Sequence, residues 1–394
     1  MVSLKRLSPL FLALALLMAC NQHAQNKEQP KSVAKDSTAK ITFKDNAYNH
    51  AARFIAGLPQ LDSNEYTALE NKAVWKKYSH RVDSIWGAYE KNRLSLMRDW
   101  YGKQFDSVIK SDRDVLYPFS ACDFLNIYTL YPNGKKYVLC GLELVGRNPQ
   151  PKNLSDHELD VALDGLMTGL KTLIERGYFI TSYMGHDLYS SQLNGTLPVI
   201  YFFMARMNCN IVDQQFVGLD KAGNEHALKS AMRDSSNASY IRGVKITFQH
   251  PGSKKLATMY YFGGDLSDGG IAAHPGYVNF VKANFKNTNT FIKAASYLLH
   301  TPQFTSMKSL ILAQSHAILT DDSGLPLKAV NDNKWKLTYY GKYNGPTKDF
   351  PYIHESDRLA IYNSKDSAKI APIPFGTGYK WKLNESNLLF CVKK

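Results

Sequence analysis

Short apolar runs closed by turn residues alternate along this chain with amphipathic stretches, and that alternation restricts the fold to a sheet covered by helices. Pro132-Asn133-Gly134 precedes a strongly apolar run from Lys136 to Leu144. Val244 to His250 leads through Pro251-Gly252-Ser253 into a second run from Lys255 to Phe262. Helical patterns stand between and around these strands. Ser155 is a cap residue ahead of Leu159, Leu163, Leu166, Leu170 and Leu173, whose three- and four-residue steps predict a helix to Arg176 that Gly177 stops. Residues 121–131 and Leu197 to Met207 read as further helices, and Asn210 to Val217 and Leu388 to Val392 as strands. The expected class is α/β (α+β).

Residues 41–112 form a helical segment. Asp62 with Glu65 resembles a capping box, and Trp75, Tyr78, Val82, Tyr89 and Trp100 recur at helical spacing. An aromatic stripe of this kind usually faces a core. Beyond it, two segments look alike. PNGKKYVLCGLEL at 132–144 parallels PGSKKLATMYYFGGDL at 251–266, and 166–184 aligns loosely with 290–308. The offset between matched positions drifts from 119 at Pro132/Pro251 to 122 at Glu143/Asp265 and 128 at Pro198/Pro326. The expectation is a tandem pseudo-duplicated α/β unit, the first over 113–230 and the second, with C-terminal strands, over 231–394. A pairing of this kind puts Glu143 and Asp265 beside one cleft.

The amino terminus carries its own information. Lys5 and Arg6 precede an apolar run from Leu7 to Ala19, a basic and then apolar pattern typical of a secretory signal over residues 1–19. That run is shorter than the roughly 20 residues a membrane span needs. Leu17-Met18-Ala19-Cys20 resembles the lipobox of bacterial lipoproteins. The resemblance implies cleavage before Cys20, acylation of its thiol and amine, and a membrane as partner, with about 0.8 kcal/mol per buried methylene holding the anchor. Residues 20–40 lack large apolar side chains and read as a disordered tether. Asn21 stands where aspartate would signal the inner membrane, and Glu28 is the only acid close behind it. The expected address is therefore the outer membrane, facing the periplasm.

That compartment excludes nucleic acid, although the formal charge is +14. Lys and Arg are spread without a block, so the charge solubilises the surface or attracts anionic lipid or glycan. Cys122, Cys140, Cys209 and Cys391 match no C-x-x-C pattern. Four cysteines allow three pairings in an oxidising compartment, and free buried thiols are the alternative. No zinc-peptidase, hydrolase-elbow, phosphate-loop or dinucleotide motif occurs, and no cofactor or metal is expected. Asp265 to Gly270 has oxygen ligands but not the spacing of a calcium loop.

What remains is polar residues at strand ends and in turns, where sites usually sit. They are Tyr117, Ser120 and Asp123; Glu143; His186 and Asp187; Asp265 and Asp268; His274; and Asp321, Asp322 and Ser323. The stretches Tyr117–Leu125 (YPFSACDFL), Gly141–Gly146 (GLELVG) and Leu319–Pro326 (LTDDSGLP) together resemble a group of secreted bacterial proteins of unknown function. That resemblance implies no activity. The leading expectation is an envelope binding or scaffold protein for an anionic or glycan ligand. The alternatives are a carboxylate-dependent hydrolase using Glu143 with Asp265, or Asp321 with Asp322, and a structural subunit of an outer-membrane assembly.

Overall fold

The computed structural model describes residues 46–180, 193–330 and 333–394. The signal, the tether with Cys20, and the pair His186 and Asp187 lie outside the described residues. Residues 43–394 form one compact unit. No helix among the described residues is long and apolar enough to cross a membrane.

The unit is α/β, built on a ten-stranded sheet of order β4-β3-β5-β6-β2-β1-β7-β8-β10-β9. The strands are β1 (Val115–Tyr117), β2 (Lys136–Gly141), β3 (Asn210–Leu219), β4 (Glu225–Leu228), β5 (Ile241–Gln249), β6 (Leu256–Gly263), β7 (Thr288–Ile292), β8 (Ser315–Thr320), β9 (Trp335–Gly341) and β10 (Asn387–Lys393). β6, β2, β1, β7 and β8 run parallel, and antiparallel strands flank them on both sides. Parallel strands need both faces covered, and β1 shows why its short apolar sequence suits that place. Val115 and Tyr117 point into one core and Leu116 into the other.

The first core lies under α1 (Ala47–Ile55), α2 (Ala73–Tyr89), α3 (Ser95–Gln104), α4 (Phe124–Leu130), α5 (Asp156–Arg176) and α6 (Leu197–Arg206). The second lies under α7 (Asp268–Ala273), α8 (Gly276–Asn284) and α9 (Thr305–Gln314). Helix α6 is apolar on every side, and Leu197 to Ala205 are all buried. Ser155 and Glu158 close a capping box on α5, and Gly177 ends it at φ 80°. Trp75, Tyr78, Val82, Tyr89 and Trp100 are core, and the indole of Trp75 donates to the carbonyl of Phe54 at 3.1 Å.

Three sequence expectations fail for physical reasons. Asp62 caps nothing: α2 begins at Ala73, and a separate short turn of helix spans Thr67–Glu70. β2 stops at Gly141, so Leu142 and Leu144 are 63% and 48% exposed in the loop beyond it. The proposed tandem units are not separate bodies, because β1 and β2 are inserted between β6 and β7 in one sheet. Their loose alignment sets the end of helix α5 against strand β7. Only the match of β2 with β6 survives. Those strands pair in parallel with Gly141 opposite Gly263, the 122-residue offset of Glu143 and Asp265. The four body cysteines are buried and unpaired. Burial pushes the thiols of Cys209 and Cys391 up to about 12, which makes them poor nucleophiles.

Candidate functional site

The connections after β1 and β7 leave these neighbouring strands on opposite faces. β1 continues into α4 over the first core, and β7 into α9 over the second. A crevice opens where such connections diverge at the carboxyl ends of parallel strands. Here it is a cleft of about 680 Å³ at the ends of β6, β2, β1 and β7.

The backbone around this cleft is unusual. Eight non-glycine residues have positive φ among the described residues, and three of them are asparagines, which tolerate it. The other five are Phe119, Ala121, Ala294, Ser296 and Tyr297, all in the two loops that follow β1 and β7. Each costs about 1–3 kcal/mol and persists only where its surroundings enforce it. Four of these five line the cleft. The enforcing contacts are visible after β7. The carboxylate of Asp321 accepts from the Ala294 amide at 2.9 Å, the Ser323 hydroxyl from the Ala295 amide at 3.0 Å, and the Ser323 carbonyl from the Tyr297 amide at 2.9 Å.

Glu143 reaches the cleft from the loop after β2. Its carboxylate folds back over Gly141, where a Cβ would fall 2.4 Å from it. The Tyr261 hydroxyl donates to its backbone carbonyl at 2.7 Å. Glu143 is buried, with a relative exposure of 8%, and its Oε1 has no hydrogen-bond partner among the described residues. The loop is pinned by amide bonds from Thr196 and Leu197 to the carbonyls of Leu144 and Val145, both at 3.0 Å. Asp265 stands at the matching end of β6 and also lines the cleft, but it is exposed and accepts from the Ser267 amide at 2.8 Å.

Tyr117 and Ser120 line the cleft. The hydroxyl of Tyr117 donates to Asp123 at 3.0 Å, and burial with that carboxylate raises its pKa. Asp123 itself lies below the cleft, capping α4 and pairing with Lys293 at 2.8 Å in full burial. Asp321 and Asp322 do not face the opening. Asp321 holds the loop after β7, while Asp322 accepts from the Tyr297 hydroxyl at 2.5 Å and the Asn387 amide at 2.7 Å. Asp268 caps α9 through the Ser306 amide at 2.8 Å, and these bonds hold its carboxyl below the usual range. His274 is exposed at the end of α7.

Sequence reasoning missed Lys293, Ser296, Arg176, Tyr178, Phe304 and Tyr379, all on the cleft wall. Lys293 carried a signal, as a cation directly after the apolar run of β7. The Tyr379 hydroxyl meets that of Ser296 at 2.7 Å and donates to the Ala294 carbonyl at 3.0 Å, a contact between segments more than 80 residues apart.

Two groups behind the cleft, buried Asp321 and half-buried His300, make stability depend on pH in opposite senses. Burial and then the charge of Asp322 push Asp321 up to about 6. Burial and then Arg358 push His300 down to about 4. Asp321 contributes stability below its ordinary pKa that is lost as pH rises through 6. His300 contributes stability above its ordinary pKa that is lost as pH falls towards 4. The slopes oppose each other between about pH 4 and 6. Asp321→Asn should therefore leave stability falling towards acid by up to about 1.4 kcal/mol per pH unit, and His300→Gln should leave the reverse slope. Denaturant midpoints across pH 4–7 that stay parallel to the parent in both variants would refute this.

No protein-family model and no curated protein matches the chain.

Proposed function

We propose that this chain is a lipid-anchored envelope protein whose cleft binds a glycan. The observation that carries the reading is the unpartnered, buried carboxylate oxygen of Glu143 in a cleft walled by aromatic rings. Ring faces such as those of Phe119, Tyr178 and Phe304 suit the C–H faces of sugars, and a carboxylate accepts from their hydroxyls. The charge of the wall favours a neutral or amino sugar over an anionic one. Glu143, Asp265 and Asp349 line it, and Lys293 is already neutralised by Asp123, which leaves Arg176. The lipobox-like residues before Cys20 supply the anchor, and the tether after it supplies the reach.

Titration calorimetry against neutral, amino and anionic envelope oligosaccharides tests the reading. A neutral or amino glycan should bind, and Glu143→Gln should weaken it tenfold or more, about 1.4 kcal/mol. Exclusive binding of anionic glycans, or native affinity in the Glu143→Gln variant, would overturn it. In the same preparations Cys20→Ala should move the chain out of the membrane fraction. A second reading, hydrolysis, draws on the matched register of Glu143 and Asp265. Both carboxylates line the same cleft, as a two-carboxylate hydrolysis requires. Release of shortened glycan that both Glu143→Gln and Asp265→Asn abolish would favour it.

A further inference from the structure

A second concavity lies away from the cleft, and its wall holds an arginine that forms no ion pair among the described residues. Helix α2 passes into α3 through a π-turn at Glu90–Leu94, and within that turn Arg93 and Leu94 both face inward. Wide turns of this kind recur at functional sites. Together with α5 and the loop 374–383, they enclose a groove of about 880 Å³. Its walls include Ile85, Leu96, Met167, Ile174, Phe375 and Leu383.

Arg93 lines this groove and is 91% buried, as its exposure is 9%. Among the described residues its Nε and one terminal nitrogen have no hydrogen-bond partner, nor has the buried Tyr89 hydroxyl, although the guanidinium carbon lies 5.9 Å from the centroid of the Tyr89 ring. The guanidinium is held against Gly177, where a Cβ would fall 2.2 Å from a terminal nitrogen. The other charges near it are matched. Arg81 pairs with Asp164 at 2.7 Å, and Lys171 reaches Glu175 at 4.0 Å. Lys382 adds a second cation at the rim. Buried polar groups are almost always bonded, and an unpaired buried charge is among the costliest exceptions. An arginine fork is built to meet a carboxylate, with two parallel charge-assisted bonds.

We propose that this groove binds a long-chain carboxylate, with its head on Arg93 and Tyr89 and its apolar chain along the walls. The site is separate from the glycan reading and does not depend on it. The test is fluorescence titration of the protein with cis-parinaric acid, followed by displacement with oleate or oleyl alcohol. One saturable site is expected, and oleate should displace the probe at least tenfold better than the alcohol. Arg93→Met should abolish that preference without lowering the melting temperature, because it removes an unpaired charge. Leu383→Ser, an exposed and uncharged change, should weaken acid and alcohol alike, and Glu143→Gln, in the other cleft, should leave the affinity for parinaric acid as it is. Absence of saturable binding, equal displacement by acid and alcohol, or full oleate affinity in the Arg93→Met variant would overturn the proposal. Loss of binding in the Glu143→Gln variant would also overturn it, by placing the probe in the cleft.

Discussion

Lys293→Met should lower the stability of the folded unit by about 3–5 kcal/mol, the usual cost of stranding one member of a buried ion pair. Lys293 is 3% exposed and Asp123 1%, and their charged atoms are 2.8 Å apart. The lysine also donates to the carbonyl of Gly177 at 2.7 Å, so its loss frees a second acceptor. Asp123 would keep its bonds from Tyr117 and Asn126 but not a neutralising charge. Asp123→Asn should cost a comparable amount, since it strands the lysine. The double variant should cost clearly less than the two together, with a coupling of about 2 kcal/mol or more. Urea midpoints at constant slope measure all three. Additive losses would show that the two charges do not interact across a dry interior.

A second large effect is expected from a single methyl group. Gly195 has φ 81° and faces Gly146, itself at φ 86°, so closely that a Cβ on Gly195 would fall 2.5 Å from the Gly146 amide nitrogen. Gly195→Ala combines a left-handed conformation with a collision against backbone, and neither can be relieved by rotating a side chain. The expected cost is about 3 kcal/mol or more. Gly252 is the control. It has φ 65° but open space around its Cβ position, so Gly252→Ala should cost only about 1 kcal/mol. Equal losses at the two positions would mean that the loop carrying Glu143 is not clamped as described. Because that loop holds Glu143, any folded Gly195→Ala protein should also lose ligand affinity in the cleft.

Much of the local structure was legible because it is set by neighbours in sequence. The capping box of Ser155 and Glu158, the stop at Gly177 and the turns at Pro132 and Pro251 each depend on a few adjacent residues. The equivalence of Glu143 and Asp265 was legible too, as two strands of similar texture that pair in register. The strand order was not. Apolar runs carry no record of which partner lies beside them, so similar segments suggested two bodies where one interleaved sheet exists. The candidate site was read in part. Tyr117, Ser120, Glu143 and Asp265 do meet at the cleft. Asp321 and Asp322 were drawn towards chemistry because paired acids suggest it, whereas their carboxylates secure a loop and a strand behind the wall. The positive φ of Phe119, Ala121, Ala294, Ser296 and Tyr297 leaves no trace in residue type, since none is glycine or asparagine.

The interleaving of the sheet dictates an order of assembly. β1 has β2 on one side and β7 on the other, and β2 has β6, so the middle of the sheet draws on residues from 115 to 292. A chain emerging amino end first exposes an edge of β2 until β6 follows more than 110 residues later, and an edge of β1 until β7 follows about 170 residues after it. Pairings of such long sequence separation form slowly and leave sticky intermediates. A fragment ending before β6 lacks the strand that pairs with the second side of β2, so it has no route to the native sheet.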